Sequence, residues 1–262
     1  MSNCKDDCMP RITVIVAVYN GAKTLQRCLD SFACQTYPNK ELVVIDGGSS
    51  DGTVEILEMN SDCIFYYESV PDRGIAHAWN KGVDRSTGSW LIFLGADDYL
   101  WSPQSLHEIA AHLNETSNFD VVYGDVVGVT KNGDRIGLLS SKWNRKKFTR
   151  YGIYFSHQGI FHRRSLFNVY GGFDEEFRYS PDYEFLLRYL VDHDAMYCQN
   201  VTVSAMQMGG VSNSPANAFV ALSDFSKARR KLNIEGDSPL YYRARLGAFV
   251  KLTLEKVSRL WR

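Results

Sequence analysis

The first hundred residues of this chain switch repeatedly between two hydrophobic periods, and that switching narrows the fold more than any other feature. The run "ITVIVAV" (Ile12–Val18) is apolar and largely β-branched, without the polar alternation of a half-exposed strand. Such runs suit parallel strands covered on both faces. Residues 22–35 then place Leu25, Cys28, Leu29 and Phe32 at helical spacing. "ELVVID" repeats the strand signal, and "SSDGTVEILEM" is a capped turn entering a helix. "CIFYYES" predicts a third strand, "GIAHAWNKGVD" a third helix and "WLIFLG" a fourth strand. Four βα repeats with short connections predict an α/β fold, a Rossmann-like, doubly wound, mostly parallel sheet.

After Asp98 the pattern loosens. Residues 102–117 predict a helix, and "DVVYGDVVGVTKNGDRIGLLS" predicts two strands joined at Asn132-Gly133. An irregular section with "SHQGIFHRR" and "GGFDEEF" precedes a helix over "PDYEFLLRYLVDH" and a strand over "YCQNVTVSAMQM". No linker, repeat or low-complexity tract interrupts the chain. The expected organisation is a polar tail (1–10), one domain (11–215) and a basic helical tail (216–262). Within the domain, 11–100 is the nucleotide-binding half and 101–215 the acceptor and catalytic half.

Composition excludes several classes. The six cysteines follow neither a zinc-ribbon nor a secreted disulfide spacing, so reduced thiols are expected. The start "MSNCKDDCMP" is polar where a secretory leader needs an apolar core, and no run of about 18 apolar residues exists to span a membrane. A cytoplasmic protein is expected, with no nucleic-acid partner. The net charge of −1 is unevenly spread: residues 227–262 hold ten Lys or Arg against three acids, so +7, which leaves −8 on the rest.

Ligands of doubly wound sheets bind beyond the carboxyl ends of the strands. That rule gathers "YNG", "DGGSSDG", "ESVPDRG" and "GADD" on one rim. Neither a G-x-G-x-x-G nor a phosphate-cradling G-x-x-x-x-G-K-[ST] motif is present. Asp97 and Asp98 stand side by side where the fourth strand ends, and adjacent carboxylates at a core edge call for something positive.

The segment from "ITVIVAVYNG" through "VVIDGGSSDGT", with "DRGIAHAWNKG", "WLIFLGADD", "GGFDEEF" and "SPDYEFLLR" in that order, resembles family 2 inverting glycosyltransferases of the GT-A fold. The resemblance covers about 12–212. It implies transfer of a sugar from a nucleoside-diphosphate donor, expected to be a UDP-sugar, to an acceptor hydroxyl in bacterial surface-polysaccharide synthesis, with Mn²⁺ or Mg²⁺. It further implies a nucleotide site of Val18, Tyr19, Asn20, Asp46, Asp51, Asp72, Arg73, Gly74, Asn80, Lys81, Ala96 and Asp97. Asp46 would meet the base, and Asp51 is equally suited to starting the next helix. Tyr19 could stack on the base, and Arg73 or Lys81 could neutralise diphosphate. A hard cation takes oxygen ligands and shares itself with phosphates, so Asp97 and Asp98 are the expected metal pair. Where the family has Asp-x-Asp-Asp, this chain has Gly95-Ala96-Asp97-Asp98, so the first acid is missing.

Asp182 matches the family's catalytic base, with Pro181 where a Glu is usual. One base suffices, since a single displacement with inversion needs only the acceptor proton removed. His157, Gln158 and Glu184 are the expected acceptor-side residues, and 209–212 ("GGVS") a closing loop. Residues 241–262 form an amphipathic basic helix, suited to an anionic membrane surface if the acceptor is lipid-linked, or to packing on the acidic body. Two alternatives stay open: an inactive nucleotide- or carbohydrate-binding module, and a sugar nucleotidyltransferase. The second lacks its glycine-rich basic loop in "VYNGAKT".

Overall fold

The sequence pattern becomes the following chain of elements in the computed structural model, which describes residues 9–115, 118–209 and 215–234, with Tyr242, Leu246 and Gly247 beyond them. They are β1 (Ile12–Val18), α1 (Leu25–Ala33), β2 (Lys40–Asp46), α2 (Thr53–Met59), β3 (Tyr66–Ser69), α3 (Ile75–Arg85) and β4 (Trp90–Gly95). Then follow β5 (Tyr99–Leu100), α4 (Ser105–Glu115), β6 (Val121–Val129), β7 (Arg135–Leu138), α5 (Arg145–Tyr151), β8 (Ile160–Arg163), α6 (Ser165–Tyr170), α7 (Pro181–Leu190), β9 (Met196–Gln207) and α8 (Pro215–Lys231). The sheet order is β3-β2-β1-β4-β8-β6-β9-β5, with β7 paired to β6. Strands β1 to β4, β6 and β9 run one way, and β5, β7 and β8 run the other.

Alternation along each strand builds two cores. Ile12, Val14 and Val16 of β1 face the layer of α1, α2 and α4. Ile15 of β1 and Val43 and Ile45 of β2 face the layer of α3, α6, α7 and α8. With both faces covered, the strands need apolar side chains at nearly every position, which is what "ITVIVAV" and "LIFL" supply.

Several short elements were not visible in the sequence, α5 and α6 among them. Residues 61–63 are a 3₁₀ turn, so β3 begins only at Tyr66. β5 is two residues long, and β8 is four residues ending in His162 and Arg163, too short to show a period. β8 nevertheless lies between β4 and β6, antiparallel to both.

The expected division at residue 215 does not separate a body from a tail. α8 packs on α7, Arg229 and Asp224 are buried, and Lys231 pairs with Glu184 at 2.8 Å. Basic residues of 216–234 thus serve the body's own acids. Most of 241–262 lies outside the described residues.

Candidate active site

In-register pairing sets Val18 beside Asp46, Asp46 beside Ser69 and Ala17 beside Gly95, so the four parallel strands end on one line. The loops beyond that line are stitched together. Asn20 adopts a left-handed backbone (φ 51°), donates its N–H to Ser49 Oγ at 2.6 Å and accepts the Ser50 N–H at 3.0 Å. Asp51 accepts from Ala22 N–H (3.1 Å), Thr53 N–H (3.2 Å) and the Thr53 hydroxyl (2.6 Å). These bonds, the hydroxyl first, hold its carboxyl below the usual range. Asp51 therefore starts α2 and ties it to the first loop. Val18 and Ala96 line the floor, where a Cβ on Gly21 would meet both.

Asp46 is fully buried, and its carboxylate accepts the N–H groups of Gly48 (3.2 Å) and Ser49 (2.9 Å), the Ser69 hydroxyl (2.5 Å) and the Ser49 hydroxyl. Three of these donors converge on Oδ2 and one on Oδ1. Asp46 orders the loop, which corrects its expected contact with the base. The acceptor left open is Asp72: its Oδ1 takes the Gly74 N–H at 2.8 Å, while its Oδ2 meets no described donor. Asp72 and Tyr19 flank Gly47, where a Cβ would come within 2.7 Å of Asp72 Oδ2 and 3.4 Å of the Tyr19 ring. That ring is 68% exposed. A planar group could lie on the Tyr19 ring with a carboxylate at its edge.

The adjacent acids part company. Asp98 is 3% exposed; its Oδ1 accepts the Gln207 N–H (3.1 Å), and its Oδ2 the Gln158 amide (3.0 Å) and the Gly95 N–H (3.2 Å). Burial first and Asp97 second push its carboxyl up to about 7. Asp97 is half-buried, and its carboxylate meets no described donor. The nearby cation is Arg27, which sequence reasoning missed. It donates to the Asp97 carbonyl (2.8 Å) and to Gln207 (3.1 Å) and lies 4.6 Å over the Tyr99 ring. Arg27 thus holds the Asp97 backbone rather than either carboxylate, and Asp98, buried and bonded by three donors, is not free to ligate a metal as expected.

Gly95 has a steric reason: a Cβ there would stand 2.8 Å from Asp97 Oδ1 and 3.1 Å from Asp98 Oδ2. Among the described residues no three His, Cys, Asp or Glu side chains converge on one point. Asp97 is thus the open carboxylate that would hold a hard cation, an ion that takes oxygen ligands and is commonly bound through one or two carboxylates together with substrate phosphates.

Asp182 follows a loop anchored on α3 and on Arg73 ahead of it. Asn80 exchanges two bonds with the Phe173 peptide, donating to its carbonyl (2.9 Å) and accepting its N–H (2.7 Å). A Cβ on Gly172 would lie 2.5 Å from Asn80 Oδ1, so only glycine fits there. Arg73, ahead of α3, grips Glu175 with two bonds of 2.8 and 3.0 Å. The loop held this way runs into α7, with Pro181 at the first position, where its missing N–H costs nothing, and Asp182 next. Burial pushes the Asp182 carboxyl up to about 6; Asp224 adds a smaller push, opposed by the N–H groups of Tyr183 and Asp182 itself.

Several expected contacts are committed elsewhere. Asn80 and Arg73 hold the loop just described, and Lys81 pairs with Glu68 at 2.8 Å. Glu184 is enclosed between Arg188 (2.5 Å) and Lys231 (2.8 Å) and faces no acceptor. His157 is buried, stacked on Phe93 (centroids 5.5 Å) and against Trp79 (4.9 Å), with Nε2 3.1 Å from His162 Nε2. It is a core residue rather than an acceptor contact. Gln158 holds Asp98 in place. Of the expected closing loop only Gly209 is described (φ 91°). Gln207 and Asp224 were missed with Arg27: each is one polar residue on an element whose partner is far away in sequence.

Comparison with known proteins agrees with this geometry. The profile of "Glycosyl transferase family 2" matches residues 13–171. A "PGL/p-HBAD biosynthesis glycosyltransferase" of Mycobacterium bovis BCG is 36% identical over 212 residues, covering 78% of this chain and 80% of the relative. An uncharacterized glycosyltransferase of Mycobacterium tuberculosis is 30% identical over 196 residues, 74% of this chain and 72% of the relative. Among solved structures, S. aureus TarS 1-349 in complex with UDP-GlcNAc superposes with a TM-score of 0.66 at 20% identity, over 91% of this chain and 71% of that one. The mannosyltransferase PcManGT from Pyrobaculum calidifontis, in complex with GDP-Man and Mn²⁺, gives 0.65 at 21% identity, over 92% and 69%.

Proposed function

The chain belongs to glycosyl transferase family 2 and is a glycosyltransferase, and we propose that it moves a sugar from a nucleoside-diphosphate donor to an acceptor hydroxyl by single displacement with inversion. The observation that carries this reading is the unlike fate of the two rim acids, Asp98 buried and bonded, Asp97 open with no donor of its own. An open carboxylate on the strand-end line is the group that a diphosphate-bound cation requires.

In this reading Tyr19 stacks on the base, and Asp72 rather than Asp46 accepts from the base or ribose. A divalent cation held by Asp97 supplies charge neutralisation for the leaving diphosphate. Asp182 removes the acceptor proton; its raised carboxyl still ionises near neutral pH and binds a proton more strongly than an ordinary Asp. The solved neighbours carry UDP-GlcNAc or GDP-Man, which supports a nucleotide-sugar donor, and we take a UDP-sugar as the first candidate. The acceptor we propose is a glycan or lipid-linked glycan of the bacterial surface. We place the enzyme in the cytoplasm, with 241–262 resting on the inner, anionic membrane face. No helix among the described residues is long and apolar enough to cross a membrane. Deletion of 241–262 should release the protein from anionic vesicles; unchanged binding would end the membrane proposal.

The testing experiment is a thermal-shift panel of UDP, GDP, CDP and dTDP with Mn²⁺ or EDTA, on the parent and on Asp97→Asn. One nucleotide should stabilise the parent only with metal, and the variant should lose that shift. No shift with any nucleotide would overturn the donor site. Binding without sugar release from any nucleotide sugar would point to an inactive binding module.

A further inference from the structure

We infer that Asp224, on α8, is a positioning residue for the Asp182 base: it grips the peptide N–H groups directly ahead of α7 and so fixes where that base stands. The inference rests on the reading of Asp182 given above.

The first turn of a helix has N–H groups with no partner inside the helix. At α7 the usual remedy is absent, because Ser180 at the cap position makes no side-chain cap bond. Its hydroxyl donates instead to the Ala221 carbonyl of α8 at 3.5 Å. The N–H groups of Asp182 and Tyr183 turn to the Asp182 carboxyl itself, and the acceptor for the two N–H groups ahead of them is supplied from the neighbouring helix. Asp224 Oδ2 takes the Tyr179 N–H at 3.2 Å, and the Ser180 N–H also bonds this carboxylate. A carboxylate at a helix N-terminus is in a favourable field.

α8 is firmly seated for this task. Phe225 packs edge-on against Tyr183 (centroids 4.6 Å) and fills the space a Cβ on Gly152 would need. Arg229 reaches the Tyr183 hydroxyl at 3.4 Å, and Lys231 binds both Glu184 and Asp174. These contacts hold the flank of α7. Among the α8 contacts described, Asp224 is the side chain that takes the peptide N–H groups just ahead of Asp182.

The same contact sets a second carboxylate beside the base, and its charge opposes ionisation of Asp182. The other charges around the pair are already matched. Burial raises the Asp224 carboxyl and Lys227, which pairs with Glu176 (3.1 Å), opposes that rise, while Glu184 is closed by Arg188 and Lys231. Arg178 lies over the Tyr179 ring. On α5, Arg145 pairs with Asp194, Lys147 lies over Tyr154, and Lys146 and Arg150 are exposed; α6 brings no charge.

The test uses the full chain with ¹³C-carboxyl aspartate, the Asp182 signal being assigned by its loss in Asp182→Asn. Asp224→Asn keeps an oxygen for the Tyr179 N–H and removes the charge, so the Asp182 midpoint should move to lower pH. Asp224→Ala should speed hydrogen exchange at Tyr179 and Ser180 and lower UDP release from UDP-N-acetylglucosamine about ten- to a hundredfold, with KM unchanged. An Asp182 midpoint in Asp224→Asn equal to the parent's would overturn the inference, and so would unchanged exchange in Asp224→Ala. UDP release persisting in Asp182→Asn is a separate failure, that of the base itself, and shows in that variant alone.

Discussion

Gln158 donates its side-chain amide to Asp98 at 3.0 Å, and with the Gly95 and Gln207 N–H groups it holds that one of two adjacent acids inward. Gln158 follows β7 in the chain and Asp98 follows β4, yet they meet because β8 enters the sheet beside β4. Asp98 turned inward leaves Asp97 turned outward.

The pH dependence of turnover should follow Asp182. A base acts only when ionised, so the rate should rise with pH through about 6 and level above it. Asp182→Asn should lower kcat by about a thousandfold with little change in KM, as removal of a general base does. The stability effect runs the other way. The folded state holds a proton on Asp182 from its ordinary value near 3.8 up to about 6, so this contribution is present at low pH and lost as pH rises through 6. Chemical denaturation at pH 7 should find Asp182→Asn more stable than the parent, on the order of 1 kcal/mol.

Asp46 and Asp72 should give opposite phenotypes. Asp72→Asn should weaken nucleotide binding about tenfold in calorimetry, the worth of one hydrogen bond to a charged group, with the melting temperature kept. Asp46→Asn should instead lower the melting temperature, because one of the two oxygens that take the Gly48 and Ser49 N–H groups and the Ser49 and Ser69 hydroxyls becomes an NH₂ donor.

The fold was legible because a sheet covered on both faces writes itself as apolar runs, and β1, β2 and β4 are such runs. The site was legible only in part. Motif position singled out Asp46 at a strand end, Arg73 ahead of α3 and Asn80 and Lys81 within it. Position could not say whether a carboxylate or cation was already spent on a neighbour. Asp46 is spent on Ser49 and Ser69, Arg73 on Glu175 and Lys81 on Glu68. Asp224 and Arg27 were illegible for the opposite reason: a lone charge on an amphipathic helix looks like a solvated one.

Gly172→Ala tests the loop that delivers Asp182. The added Cβ meets Asn80 Oδ1 at 2.5 Å and must break the paired bonds to Phe173. A loss of about 1–3 kcal/mol is expected in urea denaturation, as for other forced overpacking. Turnover should fall further than nucleotide binding, since the loop feeds α7 and not the base slot.

The buried imidazoles should make the protein acid-sensitive. Burial pushes His157 down to about 3 from 6.5, and His162, with His157 beside it, well below 6.5. The unfolded chain binds more protons in that window, so stability rises with pH and is lost as pH falls from 6.5 toward 3, at about 1.4 kcal/mol per pH unit per histidine. His162→Gln keeps a bonding atom near the ε position without titrating there. Its stability should vary less between pH 7 and pH 5 than the parent's.

The seating of α8 bears on how such enzymes can be recombined. The stretch matching the family profile stops at residue 171, before Asp182 and well before Asp224. A chimera joined at that limit, or at residue 215, would inherit a nucleotide slot while leaving behind the brace on its own base. The transplantable unit runs at least to Ile234, whose N–H closes the end of α8 on the Arg229 carbonyl at 2.9 Å. Any graft that exchanges acceptor preference has to carry that last helix from the same parent as α7.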